Sequence, residues 1–215
     1  PLITRGGATL VHLNGCWASL THYISAAPFD PTNLDHATLL GAALARLHRA
    51  LANMPCQSRP GRALFADLFD YPPANYPPLR LTPLHLALDN DRFATELLAW
   101  WRLQAAELCA FVNNEYRALP WQLCHNDPAP ANVLVAEKRI AALLDFEFAC
   151  PAPRALDLAM ALRMTMRIWE NPNPWPAAET ILAAYATHAP FTAEEAVQLP
   201  ILIRLRSAIP ILWRL

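Results

Sequence analysis

Apolar and β-prone residues open the chain in two short runs, Thr9 to Leu13 and Trp17 to Ile24, joined through Asn14-Gly15. That dipeptide suits the positive φ angles of a tight turn, so the pattern predicts two antiparallel strands. Pro28 and Pro31 interrupt the chain, and Thr32 or Asn33 can cap a helix whose apolar positions are Leu39, Leu40, Ala43, Leu44 and Leu47, running to about Arg49. From Pro55 to Pro83 prolines recur, with the near repeat Tyr71-Pro72-Pro73-Ala74 and Tyr76-Pro77-Pro78-Leu79. Locked φ angles and missing donors make that stretch a surface excursion. Helical spacing resumes at Asp89 or Asn90, passes through Phe93, Leu97, Trp100, Trp101, Leu108 and Phe111, and stops before Pro120. The paired tryptophans are expected in the core.

The second half begins with a strand-like run, Trp121 to Cys124, and a polar loop reaching Asn132. A hairpin follows, Val133 to Val135 and Ile140 to Phe146, around the charged turn Glu137-Lys138-Arg139. The remainder reads as helix: Arg154 to Trp169, Ala177 to His188, and Thr192 onward, where Thr192 and Glu195 form a capping-box signature. Pro172, Pro174 and Pro176 separate the first two, and Pro200 and Pro210 are expected to kink or divide the last. The predicted class is α+β, a small β element before a mostly helical body.

Composition narrows the function classes. A net charge of −1 with 16% charged residues gives no basic field for a polyanion, so nucleic acid is not an expected partner. The longest uncharged stretch, Gly6 to Phe29, is broken by polar residues and Gly15, which argues against a membrane span. No secretory signal stands at the front. The five cysteines, Cys16, Cys56, Cys109, Cys124 and Cys150, are scattered without a Cys-x-x-Cys pair, which suits buried thiols in a reducing cytoplasm.

The candidate chemistry sits in His125-Asn126-Asp127-Pro128-Ala129-Pro130-Ala131-Asn132 and in Asp145-Phe146-Glu147 after the hairpin. Phosphoryl transfer from ATP needs a carboxylate to take or orient the proton of the attacking hydroxyl. It also needs oxygen ligands for Mg2+. Asp127, Asn132 and Asp145 offer those groups, and the hairpin folds Asp145 back toward Asn132. A hydrolytic metal held by His125, Asp127 and Asp145 is the competing reading, though no further His or carboxylate ligand is placed by a recognisable motif.

His-x-Asp-x-x-x-x-Asn, then Asp-Phe-Glu, then Leu156-Asp157-Leu158-Ala159 resembles the aminoglycoside phosphotransferase and choline kinase superfamily, which has the protein-kinase fold. The resemblance implies a catalytic base at Asp127, a loop-steadying role for His125, Mg2+ ligands at Asn132 and Asp145, and structural support from Asp157. It also implies that residues 1–27 are the last hairpin of an N-terminal lobe and its hinge, with backbone near His22 and Ile24 meeting adenine. Residues 28–215 would be the helical C-terminal catalytic lobe. Leu144-Asp145-Phe146-Glu147-Phe148-Ala149-Cys150, with the later Arg-bearing helix, is most similar to type II homoserine kinases. Family members usually carry Gly where this chain has Asn126, the mildest replacement at a positive φ.

Kinase-fold enzymes grip ATP phosphates with a small-lobe Lys paired to a helix Glu. The one lysine here, Lys138, lies in a predicted turn and reads as a solvated charge. The resemblance therefore implies that the upstream part of the N-terminal lobe is missing and that the chain alone binds ATP poorly. The acidic and basic residues after Cys150 favour a neutral or carboxylate-bearing alcohol, such as homoserine, over a polycationic aminoglycoside, with an aminoglycoside, choline or sugar kinase of the same superfamily as the alternative. A non-catalytic kinase-like binding protein is the remaining alternative. Each arginine there, Arg206 included, reads singly as a solvated helix face, and Trp169 and Trp213 as core rather than pocket.

Overall fold

The computed structural model describes residues 1–55 and 92–214. Two antiparallel strands, β1 (Val11–Leu13) and β2 (Cys16–Ala18), open it, with Leu13 opposite Cys16. Asn14 and Gly15 both take positive φ, 49° and 83°, as the tight turn requires. The second strand stops at Ala18 rather than Ile24, and Leu20 and Tyr23 are largely exposed beyond it.

Helix α1 (Leu34–Leu51) starts where Asn33 accepts hydrogen bonds from the Asp35 and His36 amides. Its buried positions are Ala37, Leu40, Gly41, Leu44, Ala45 and His48, one stripe at helical spacing. Gly41 lets α1 approach α5 (Trp175–Ala186) closely, since a Cβ built there would lie 2.3 Å from the Ile181 carbonyl oxygen and 3.0 Å from the Ala184 Cβ. We expect Gly41→Ala to destabilise the fold by about 1–3 kcal/mol despite alanine's better helix propensity. Urea unfolding checks this, and an unchanged midpoint would mean the two helices separate without penalty.

Helix α2 (Arg92–Asn113) and the short α3 (Glu115–Ala118) lead to strand β4 (Trp121–Cys124). Trp100 is 54% exposed, so at least one of the paired tryptophans faces solvent rather than the core. The side chains of Phe93, Leu97, Trp101 and Trp213, and the proline-rich stretch from residue 56 with Cys56, lie outside what the structure describes.

The hairpin of β5 (Val133–Ala136) and β6 (Arg139–Leu143) turns through Glu137 at φ 52°, with Lys138 exposed as expected. Beyond β6, residues 146–148 form a single 3-10 turn rather than continuing the strand. Two strands were not anticipated. β3 (Ala27–Pro28) adds to β5, and β7 (Cys150–Pro153) pairs with β4, Cys150 opposite Cys124. Proline ordinarily argues against a strand, but Pro151 and Pro153 alternate. The Arg154 amide bonds the Pro120 carbonyl, which puts the hydrogen-bonded positions of that ladder between the prolines.

Helix α4 (Arg154–Met166) ends at Arg167, left-handed at φ 45°, short of Trp169. Helix α6 (Ala193–Arg214) runs through Pro200 and Pro210 undivided, against expectation; its packing on α4 outweighs the lost hydrogen bonds. The predicted capping box is formed, the Thr192 amide donating to Glu195 Oε2 at 2.9 Å and the Glu195 amide to Thr192 Oγ1 at 3.2 Å. Glu195 also takes two hydrogen bonds from Arg154, fixing the start of α6 to that of α4. The core joins Leu40 and Leu44 to Leu156, Leu162, Ile181 and Leu205. Cys124 is buried and Cys109 and Cys150 are half-buried, whereas Cys16 is exposed on the opening hairpin. No described helix is long and apolar enough to cross a membrane.

Candidate functional site

The loop after β4 is fixed from below by one buried carboxylate. Asp157, on α4, accepts the His125 amide at Oδ2 (2.9 Å) and the Asn126 amide at Oδ1 (2.6 Å). His48 Nε2 lies 3.0 Å from Oδ2, and its Nδ1 lies 2.7 Å from the Tyr185 hydroxyl. With His48 donating to the carboxylate, Tyr185 donates to His48, and α5, α1 and α4 are tied to the loop in series. Burial alone would raise the Asp157 pKa, but the hydrogen bonds from His48 and from the His125 amide hold it below the ordinary carboxylate range. His48, Cys124 and Asp157 come within 4.8 Å of one another, as a metal site would. Asp157 already accepts from three N–H groups, and Cys124 Sγ donates to the Ala152 carbonyl at 3.4 Å, so each of these two side chains has a protein partner.

His125 is fully buried and acts as a spacer. Its Nδ1 accepts the Asp127 amide at 3.2 Å, so Nε2 carries the proton and donates to the Leu144 carbonyl at 2.8 Å. The Leu144 amide donates to the Asn132 carbonyl at 2.8 Å. The residue before Asp145 is thus held to both ends of the loop. Asp145 itself is exposed and left-handed, φ 61° and ψ 70°.

Asn132 closes the loop. Its Nδ2 donates to Asp127 Oδ2 at 2.8 Å and to the Asp127 carbonyl at 3.0 Å, so the acid and the amide predicted to work together do touch. Burial pushes the Asp127 pKa up; Arg206, the Asn132 hydrogen bond and His125 oppose it, Asp145 adds to it, and the net direction is upward. Asn132 and Asp145 each carry a side-chain oxygen, a hard donor of the type divalent cations take. Asn132 Nδ2 is taken up by Asp127, and its amide oxygen is not used in that contact.

His22 and Ile24 stand apart. Both are exposed, lie outside any strand, and share no hydrogen bond with Asp127 or Asn132 among the described residues. Trp169 is 53% exposed rather than core. Two buried residues went unrecognised, His48 and Arg206. Arg206 is 6% exposed, not a solvated helix face, and donates to the Asn126 carbonyl at 2.7 Å. Burial pushes its pKa down to about 10, opposed by Asp157 and Asp127, so it is charged at neutral pH. Both lie where the helical stripe of buried residues continues, and a polar residue on such a stripe was the available signal.

The architecture is that of a protein-kinase-like fold. Over 94% of this chain it is similar to an aminoglycoside phosphotransferase from Alicyclobacillus acidocaldarius, at 24% identity and a TM-score of 0.67, covering 63% of that chain. It is also similar to amicoumacin kinase hAmiN in complex with AMP-PNP, Ca2+ and Ami, at 13% identity and a TM-score of 0.67 over 96% of this chain and 61% of that one. Residues 3–197 match the model of the phosphotransferase enzyme family, and the chain belongs to that family. Among curated proteins, the homoserine kinase of Brucella anthropi is 26% identical over 204 residues, 95% of this chain. The chain spans 58% of the length of that relative.

Proposed function

We propose that the protein transfers the γ-phosphoryl group of ATP to the hydroxyl of a small amino alcohol, homoserine being the favoured acceptor. The observation that carries the reading is the pair Asp127–Asn132, with the amide of Asn132 fixing one carboxylate oxygen of Asp127 at 2.8 Å. In this reading Asp127 accepts or orients the proton of the attacking hydroxyl, and its upward-shifted pKa makes it a better base. Asn132 orients that carboxylate and, with Asp145, offers oxygen ligands to Mg2+. The cation would supply charge neutralisation across the phosphates. His125 sets the spacing between Asp127 and Leu144. Residues 1–27, with backbone near His22 and Ile24 for adenine, would form the edge of the smaller lobe, and 28–215 the larger. The homoserine kinase relative and the AMP-PNP and Ca2+ complex support the acceptor and the nucleotide–cation pair respectively.

Asp145→Ala in the full-length protein is expected to abolish the Mg2+ dependence of ATP binding at a stability cost of only about 1 kcal/mol, because the Asp145 side chain is exposed and the loss is confined to alanine's poorer fit to the left-handed backbone. Isothermal titration with and without Mg2+ reads this. Unchanged Mg2+-ATP affinity removes Asp145 from the ligand set.

A non-catalytic binding role is the second reading, favoured by the single lysine, Lys138, which is exposed on the β5–β6 turn. Such a protein would bind nucleotide without forming a phosphoester. Aminoglycoside, choline or sugar acceptors remain alternatives within the catalytic reading, and an acceptor panel separates them.

A further inference from the structure

We propose that Arg206, on the last helix, is the positioning residue for Asp127: by holding the Asn126 carbonyl it fixes the peptide unit from which the Asp127 side chain projects. The inference rests on the reading of Asp127 as the group that receives the hydroxyl proton.

The peptide between Asn126 and Asp127 is gripped at both ends. Its N–H donates to His125 Nδ1 at 3.2 Å, and its C=O accepts from Arg206 Nη2 at 2.7 Å. Such a grip has a reason. Asn126 is left-handed at φ 65°, a conformation that costs a non-glycine residue about 1 kcal/mol, somewhat less for Asn. At that φ only a narrow range of ψ is open to a residue with a Cβ, and rotation of the following peptide would leave φ unchanged while swinging the Asp127 carboxylate away from Asn132.

Asp157 holds the Asn126 amide at 2.6 Å, and the Cys150 carbonyl accepts from its side chain at 3.1 Å, but both contacts lie on the near side of that peptide. Arg206 acts on the far side. A hydrogen bond from a charged guanidinium to a buried carbonyl is roughly twice as strong as a neutral one, so it holds the orientation of that peptide firmly.

The position of the arginine is also informative. On α6 it shares the buried face with Leu199, Leu202 and Leu205, where an aliphatic side chain would pack at no desolvation penalty. A charge there is compensated by Asp157 and Asp127, so it belongs to the loop's own charge balance. The helix that carries it is anchored at its start by the capping box and by the two bonds from Arg154 to Glu195. The guanidinium therefore projects from a fixed support.

The test is amide hydrogen exchange of Arg206→Lys and Arg206→Met beside the parent, with turnover measured on the same full-length preparations. In Arg206→Met the Asp127 amide is expected to exchange at least about tenfold faster while α1 and α4 amides keep their rates. Arg206→Lys, retaining a cation within reach, is expected to recover part of that protection, and it carries the test if the Met variant does not fold. On turnover, kcat is expected to fall about 100-fold with KM for ATP within about twofold, the pattern of a misplaced reacting group. Unchanged Asp127 exchange in both variants overturns the proposal. So does uniform acceleration across α1 and α4, which would make Arg206 a general stabiliser. Loop exchange that responds as expected in a protein whose parent transfers no phosphate would uphold the Arg206 contact and refute the phosphotransfer reading.

Discussion

Asp157→Asn is expected to lower the stability of the chain by about 3–5 kcal/mol, the scale of breaking one partner of a buried charged pair. Three N–H donors converge on this fully buried carboxylate, from His48 Nε2 and the His125 and Asn126 amides. An asparagine keeps the shape but turns an NH2 group toward at least one donor, leaving a buried donor facing a donor. The pH dependence has a definite sign. The folded carboxyl titrates below the ordinary aspartate value of about 3.9, so on acidification the unfolded chain binds the proton first. The contribution of Asp157 is then complete above that value and is lost as pH falls through the folded pKa. Asp157→Asn should flatten this part of the acid limb as well as lower the plateau. Urea titrations at pH 7 and at successively lower pH measure both, and a plateau unchanged within about 0.5 kcal/mol would show that the loop does not depend on the carboxylate.

The second large effect falls on activity alone. Asp127→Asn in the full-length protein is expected to reduce phosphoryl transfer by about 100- to 10,000-fold, the range of a lost positioned base. Stability should hold or rise slightly. The carboxylate is half-buried and its pKa is displaced upward, which means that burial disfavours its charged form. A neutral amide removes that penalty, and its oxygen can still accept from Asn132 Nδ2. Retained turnover in this variant would take Asp127 out of the base role; lost turnover with a collapsed thermal midpoint would make it structural.

Much of this fold was legible because its signals are local. Asn14-Gly15, the Asn33 cap and the Thr192–Glu195 box each depend on a few adjacent residues, and each is formed. Strands β3 and β7 were not legible. Proline reads as a breaker until a partner strand supplies a register in which its missing N–H is not needed, and β5 and β4 lie far along the chain. Likewise Pro200 and Pro210 read as stops until α4 is there to hold α6 together.

The loop motif was legible in the same local way, since the spacing from Asp127 to Asn132 sets their 2.8 Å contact. What the spacing does not carry is the support behind the loop. His48 and Arg206 reach it from helices 77 and 80 residues away, by the hydrogen bonds that join His48 to Asp157 beneath it and Arg206 to the Asn126 carbonyl, residue differences counted along the sequence. A buried stripe that lands on a histidine or an arginine is the trace such support leaves in a sequence.

Phosphoryl transfer is tested most directly by 31P NMR of the full-length protein with ATP, Mg2+ and a panel of homoserine, choline, amino sugars and other amino alcohols. A new phosphomonoester resonance is expected with homoserine or a near analogue, absent without Mg2+ and absent in Asp127→Asn. No phosphoester with any acceptor on the panel, from a folded protein that binds ATP, would contradict phosphoryl transfer.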